Sequence, residues 1–203
     1  MNARTSHNLI PGTVFGGGFV GGFFMLPSVL YAVIFAPKAE GEHDDTEWND
    51  GNYKNVTGAL SFIDGLANTQ AMAKAGSKLA KWAMGLRIGG YDDWHLPALD
   101  QLEMGYRLLK PGTVKNWCYM RSGINLHSEP IAHPYTPELP AQTEVAAFQK
   151  GGAEAFDECW YWSSTQHASN AGDAWAQHFL NGGQNDYHKT HAYRARAVRI
   201  VKI

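Results

Sequence analysis

The chain is poor in cysteine: 203 residues hold two, Cys118 and Cys159, separated by 41 positions. No CxxC pair occurs, so neither a disulfide framework nor a zinc site can be read from their spacing. Charge is scarce too, with 18% Asp, Glu, Lys and Arg and a formal net charge of -2. The absence of any Lys/Arg block removes the electrostatic case for nucleic acid as a partner. An unbroken apolar run is also missing. Thr13 to Ala36 carries no charge and is long enough to cross a bilayer, but Gly16, Gly17, Gly18, Gly21, Gly22 and Pro27 interrupt it. A β-hairpin fits better than a membrane span or an uncleaved signal, with arms Val14 to Met25 and Val29 to Ala36 and a turn near Leu26-Pro27-Ser28.

Aromatic residues are plentiful, at 12% of the chain with seven Trp and nine Tyr. In a lightly charged chain they build either a dense core or binding surfaces, and core is the expected use for most. The length suits one domain with an N-terminal extension: residues 1–60 as hairpin and linker, residues 61–203 as the domain.

Lys38 to Val56 is polar and acidic and reads as a solvated connection. Asn68 or Thr69 can cap a helix reaching about Met84, with Met72, Leu79, Ala83 and Leu86 near one face. A Gly89-Gly90 turn leads into Tyr91-Asp92-Asp93-Trp94-His95-Leu96-Pro97, then a second helix from Ala98 to Leu109 with Leu99, Leu102, Tyr106 and Leu109 at helical spacing. Five prolines between Pro111 and Pro140 predict a long irregular loop, followed by a short helix over Gln142 to Gln149.

Cys159 to Ile203 organises the rest. Cys159 to Thr165, Ala174 to Phe179 and Arg194 to Val201 alternate as half-buried strands do. The links between them are rich in Asn, Gly, His and Ser and read as recognition loops. Gln166, His167, Ser169 and Asn170 in the first, and Asn185, Asp186, Tyr187, His188, Thr190 and His191 in the second, are the candidate ligand-binding residues. Amides, hydroxyls, imidazoles and an aromatic ring suit adaptable hydrogen bonding to proteins or sugars.

Gly89 to Pro97 with its following Leu-x-x-Leu helix, Tyr161-Trp162-Ser163-Ser164-Thr165, Ala174-Trp175 with Phe179, Gly182-Gly183-Gln184 and Arg194 to Arg199 together resemble the Lcl C-terminal-domain-like family of bacteria and their phages. The resemblance spans roughly Asp64 to Ile203, and Pro11 to Glu42 is similar to phage and prophage members. It implies an α+β, C-type-lectin-like fold of two helices on small antiparallel sheets, preceded by the hairpin extension. That fold is shared with formylglycine-generating enzymes and with receptor-binding proteins of phage tails, whose C-terminal loops contact the host.

Sharper chemistries fare poorly on the residues. Calcium-dependent lectins use Glu-Pro-Asn or Gln-Pro-Asp with a late Trp-Asn-Asp, because a hard cation needs clustered oxygens. Here Ile131 follows Glu129-Pro130, and Trp48-Asn49-Asp50 sits far upstream. The cysteines do not match a formylglycine-type pair and read as inert core thiols. His188 and His191 lack an evident third ligand, and Ser163-Ser164 lacks a Gly-x-Ser-x-Gly elbow. Arg194, Arg196 and Arg199 are expected to pair with Asp92, Asp93 or Glu103.

The expectation is therefore a non-enzymatic phage or prophage virion protein, a tail-tip or fibre adhesin, with no catalytic residue, cofactor or metal. Its partners would be a host-surface protein or glycan, other virion proteins through the apolar N-terminal segment, and further copies of itself, with no nucleic acid and no membrane span. A purely structural tail, baseplate or capsid decoration subunit is the first alternative, and an enzyme related to the formylglycine-generating fold the second.

Overall fold

The computed structural model describes residues 9–203. Its elements in chain order are β1 (Val14–Phe15), β2 (Gly18–Leu26), β3 (Val29–Phe35), the single turn α1 (Lys38–Gly41), β4 (Glu42–Glu47), α2 (Gly65–Lys74), α3 (Lys78–Gly85), α4 (Leu99–Leu109), β5 (Trp160–Gln166), β6 (Asp173–His178), β7 (Gln184–His188), β8 (Ala192–Arg196) and β9 (Val198–Lys202). The fold is α+β. Four strands form one sheet in the order β1-β2-β3-β9, and five form another in the order β4-β8-β5-β6-β7. Neighbours are antiparallel except β5 and β8, which run parallel where Tyr161 meets Arg194.

The hairpin forms as expected but is not a separate extension. β3 pairs with β9 from Tyr31 opposite Lys202 to Phe35 opposite Val198. Val33 and Phe35 point into a core with Leu102, Met104 and Tyr106 of α4, while Ala32 and Ile34 pack with Val20, Ile88 and Trp94 on the other side. Both faces of β3 are thus covered by its own chain, as its near-continuous apolar sequence requires.

Lys38 to Val56 is likewise structural. Its acidic run contains β4, which pairs with β8, and ends on buried Trp48, whose indole N–H donates to the Ser163 carbonyl at 2.8 Å. One expected helix is two. Asp64 caps α2 by accepting from Ala67 N at 2.9 Å, Gly76 breaks the run at φ 110°, and Ser77 caps α3 by accepting from Ala80 N at 3.2 Å. Asn68 is no cap: its amide holds Ser61 through both N–H and C=O. α4 lies where expected, buried against β2, β5 and β6. Of the predicted 142–149 helix only a 3-10 turn, Ala146–Phe148, forms.

The C-terminal run divides at Ala197, where the chain leaves the second sheet as β8 and enters the first as β9. The three arginines anchor that crossing. Arg194 pairs with Glu42 and Asp157 at 3.2 Å each, and Arg199 takes Asp93. Arg196 is wholly buried, donating to the carbonyls of Ala36 at 2.8 Å and Glu154 at 2.7 Å and to the Glu154 carboxylate. Of the three expected acidic partners only Asp93 is used. Glu103 instead accepts from Arg107 and from the Tyr135 hydroxyl at 2.7 Å.

Candidate functional site

The predicted loop residues do not form one surface. Gln166 belongs to β5 and is only 2% exposed. Its Oε1 accepts from Val56 N at 2.7 Å and Lys189 Nζ at 2.6 Å, and its Nε2 donates to Asn55 at 2.6 Å. Its polar groups are spent inside the fold, so it is a structural residue and not a ligand contact. The turn after it closes on itself: His167 Nδ1 accepts from Asn170 N at 3.0 Å, and the Asn170 amide bonds Asp173, leaving Ser169 exposed at the tip.

Asn185 to His188 is strand, not loop. β7 is the edge of the second sheet, paired with β6 from Gln184 opposite Gln177 to His188 opposite Asp173. Strand alternation therefore divides the predicted residues between two faces. Asn185 and Tyr187 line a cleft; Asp186 and His188 face the other way, with His188 packed near Tyr53 at 5.5 Å. Thr190 bonds His188 Nδ1 at 2.8 Å, and His191 lies 3.2 Å from the Tyr193 hydroxyl, each within its own turn.

The cleft has a volume of about 260 Å³. Trp160 at the start of β5 forms its wall, edge-on to Tyr187 at 4.8 Å and to His178 at 4.7 Å. Trp117 and Met120 join the lining from the long proline-rich loop, and both are exposed, at 48% and 75%. A backbone bond from Trp117 N to the Asn181 carbonyl at 2.8 Å fixes that loop against the β6–β7 connection. Gly183 lies beside both indoles. Gly183 is buried, and a Cβ there would make ordinary contacts of 3.8 Å with Trp160 Cη2 and 3.9 Å with Trp117 Cδ1.

No lining residue of this cleft carries a formal charge at neutral pH. Burial lowers the His178 pKa, which keeps the ring neutral. Its Nδ1 accepts from Leu180 N at 3.1 Å, so the proton resides on Nε2. The neighbouring Arg121 is already engaged by Gln184 Oε1 at 3.1 Å and by the Asp100 carboxylate.

Trp117, Met120, Trp160, His178 and Asn181 were not among the sequence candidates. The available signal was Trp117-Cys118-Tyr119-Met120, four apolar residues in an irregular segment that offers no periodic face to bury them. Tyr119 is 67% exposed, with its ring 5.0 Å from Trp117.

Other candidate chemistries find no assembled site. Cys118 is exposed and so is not a core thiol; its Sγ donates to the Asn116 carbonyl at 3.3 Å. Cys159 is half-buried, and burial pushes its thiol up to about 11, which disfavours the thiolate a nucleophile needs. Ser163 and Ser164 are buried and donate to the Trp175 carbonyl at 2.8 Å and the Pro97 carbonyl at 3.1 Å. Among the described residues, no three His, Cys, Asp or Glu side chains converge as metal ligands, and no helix is long and apolar enough to cross a membrane.

The architecture defines a two-sheet α+β domain with an uncharged aromatic cleft beside its edge strand. The family model of the Lcl C-terminal domain matches residues 41–199, and the chain belongs to that family. No curated protein matches it. The matched region begins at the end of α1 and leaves out the hairpin that completes the first sheet.

Proposed function

We propose that the protein is a non-enzymatic phage or prophage virion protein with a C-type-lectin-like domain, an adhesin of the tail tip or fibre that binds the host surface. The observation that carries the adhesin reading is the cleft: Trp117, Met120, Trp160 and Tyr187 line it with aromatic and thioether surface, and Trp117 and Met120 are exposed. Exposed apolar groups grouped around a concave site, with a few amides, are the usual composition of a recognition pocket. The virion setting is supported by sequence resemblance alone. One such cleft binds weakly, and repeated copies on a particle raise avidity through effective concentration.

The test is binding of purified, fluorescently labelled protein to a panel of bacterial cells, wild type against Trp117→Ala. Saturable binding by wild type that falls at least tenfold in the variant supports the adhesin. Equal binding by both removes the cleft from adhesion.

A structural-subunit reading has one observation in its favour. A groove of about 350 Å³ between Phe23 of β2, Leu108 of α4 and the 128–139 loop leaves Ile131 and Leu139 exposed. Apolar surface of that kind fits a neighbouring protein in an assembly. Wild-type protein that binds no cell while assembling into particles would favour this second reading.

A further inference from the structure

We infer that a second pocket, lined by the hairpin, β9 and the start of α2, takes a primary ammonium group on a short alkyl stem, donating to His95 Nε2 and the Asp64 carboxylate and laying its methylenes against Phe24, Leu66 and Ile200. This pocket shares no residue with the cleft beside β7 and is independent of the adhesin reading. Phe24 and Ile200 also lie outside the residues 41–199 that the family model matches.

A buried imidazole decides the hydrogen-bond sense. His95 is 2% exposed, and its Nδ1 lies 3.0 Å from the Asp93 carbonyl oxygen. A carbonyl only accepts, so Nδ1 carries the proton. Burial lowers the His95 pKa, which keeps the ring neutral and leaves a lone pair on Nε2. Among the described residues nothing donates to that buried nitrogen, and His95 lines a pocket of about 260 Å³. A buried acceptor without a donor is costly, so the pocket calls for a ligand that brings an N–H or O–H.

Charge selects among donors. Asp64 and Asp93 both line the pocket, and among the described residues no lysine or arginine does. Arg199 already holds both carboxylate oxygens of Asp93, at 2.7 and 3.0 Å. Asp64 is different: its Oδ1 accepts from Ala67 N at 2.9 Å, and among the described residues no cation pairs with it. A carboxylate or phosphate would meet this charge and the imidazole lone pair, which excludes anions. An alcohol would answer His95 alone. An ammonium answers both, since it brings three donors and the opposite charge.

The rest of the lining sets the stem. Gln101 offers no free group, because its Oε1 accepts from Ala98 N at 2.9 Å and its Nε2 donates to the Ile63 carbonyl at 2.6 Å. Phe24 and Tyr31 stack with ring centres 5.3 Å apart, and Leu26 and Leu66 remain 37% and 40% exposed. An alkyl stem covers apolar surface of this kind while its charged head stays with polar groups. At about 260 Å³ the pocket falls below the roughly 300–1,000 Å³ of sites for drug-sized molecules, so a short unbranched stem fits. A lysine side chain and a free alkylamine share this chemistry.

The experiment titrates the full, nitrogen-15-labelled chain with n-butylammonium, with Nα-acetyl-lysine N-methylamide, and with n-butanol and butyrate as controls. The expected result is saturable movement of the Leu66, His95 and Ile200 amides with n-butylammonium, at least tenfold weaker with either control. The His95 Nε2 signal should move upfield as that nitrogen accepts a bond. Asp64→Asn should weaken binding at least tenfold with the thermal midpoint unchanged, because asparagine caps a helix as well as aspartate does. His95→Phe should weaken it similarly; if that variant fails to fold, Asp64→Asn and the His95 nitrogen signal decide. Binding of the lysine derivative as tight as that of n-butylammonium supports the pocket and makes a polypeptide lysine its source; binding of n-butylammonium alone supports it with a free amine as the source. No saturable shift with either amine, equal binding of n-butanol, or full affinity in Asp64→Asn overturns the inference.

Discussion

Arg199 holds Asp93 in a fork, Nε to Oδ1 at 2.7 Å and Nη2 to Oδ2 at 3.0 Å. The same guanidinium donates Nη1 to the Gly16 carbonyl at 3.0 Å and lies 3.7 Å over the Tyr91 ring. One side chain on β9 therefore ties the N-terminal hairpin to the Tyr91–Pro97 turn. Lysine cannot reproduce the paired donors or the stacking. Arg199→Lys should lower unfolding free energy by about 1.5–3 kcal/mol, the range for hydrogen bonds to charged groups, measured by urea denaturation. Burial raises the Asp93 carboxyl pKa, but the bonds and charge of Arg199 outweigh it and the net shift is downward. That contribution is complete above the unfolded value of 3.8 and is lost as pH falls through the lower folded value. Acid should therefore narrow the gap between wild type and Arg199→Lys, and a gap that widens below pH 4 would contradict the assignment.

Gly89 begins the same turn, with φ 61°. A Cβ at this position would lie 2.5 Å from Gly17 Cα, so two backbones touch where the hairpin crosses the turn. Gly89→Ala combines left-handed strain with a contact that no rotamer change relieves. A loss of about 2 kcal/mol or more is expected from mechanisms of this kind. Gly90→Ala is the control: its φ is also positive, at 83°, but nothing lies near its Cβ. Equal thermal midpoints for the two variants would show that the crossing is not tight.

How much of this was legible depended on whether a residue's role is written in a local period. The hairpin and α4 were, through the Pro27-Ser28 turn between apolar arms and the Leu99-Leu102-Tyr106-Leu109 stripe. β4 was not, because its Glu and Asp side chains suit solvent while its backbone pairs with Arg196 and Ala195 of β8, a partner about 150 residues away. Gln166 misled for the opposite reason: a polar side chain can be core when every group is satisfied. The division of β7 between two faces followed once the segment was strand and not loop, since alternation then assigns Asn185 and Tyr187 to the cleft. Trp117 and Met120 reach that cleft through a backbone bond to Asn181, which no sequence pattern encodes.

Lys189 has no exposed surface, with Nζ donating to the Lys54 carbonyl at 2.9 Å and to Gln166 at 2.6 Å, 4.6 Å from the Trp48 ring centre. Burial pushes its ammonium down from 10.5 to about 8. Between those values the unfolded chain binds more protons than the folded one, so this group makes stability rise with pH across that window. At about 1.4 kcal/mol per pKa unit, wild type should gain up to about 3 kcal/mol relative to Lys189→Met between pH 8 and 10.5. Below pH 8 the difference between them should be flat. Paired chemical denaturation series at several pH values measure it, and a parallel pair of curves would show that the lysine is solvated.

The hairpin supplies a test of what the folding unit is. The family match starts at residue 41, yet β3 forms the neighbour of β9 and its Phe35 ring meets Phe156 edge-on at 5.3 Å within the core shared with α4. Deleting residues 1–36 would strip the β9 edge and uncover Leu102, Met104 and Val198, while the loss of Phe35 and Val33 alone forfeits roughly 1.5–3 kcal/mol of burial each. Against a total stability of about 5–15 kcal/mol, the truncated chain should not fold cooperatively. The milder Phe35→Ala should fold with a loss of about 3–5 kcal/mol, the cost of removing a buried ring and leaving its cavity. Calorimetry of both decides between two pictures. A truncated chain that melts cooperatively near the wild-type temperature would make the hairpin an attachment arm after all; its failure, with Phe35→Ala folded but weakened, makes the arm and the domain one core.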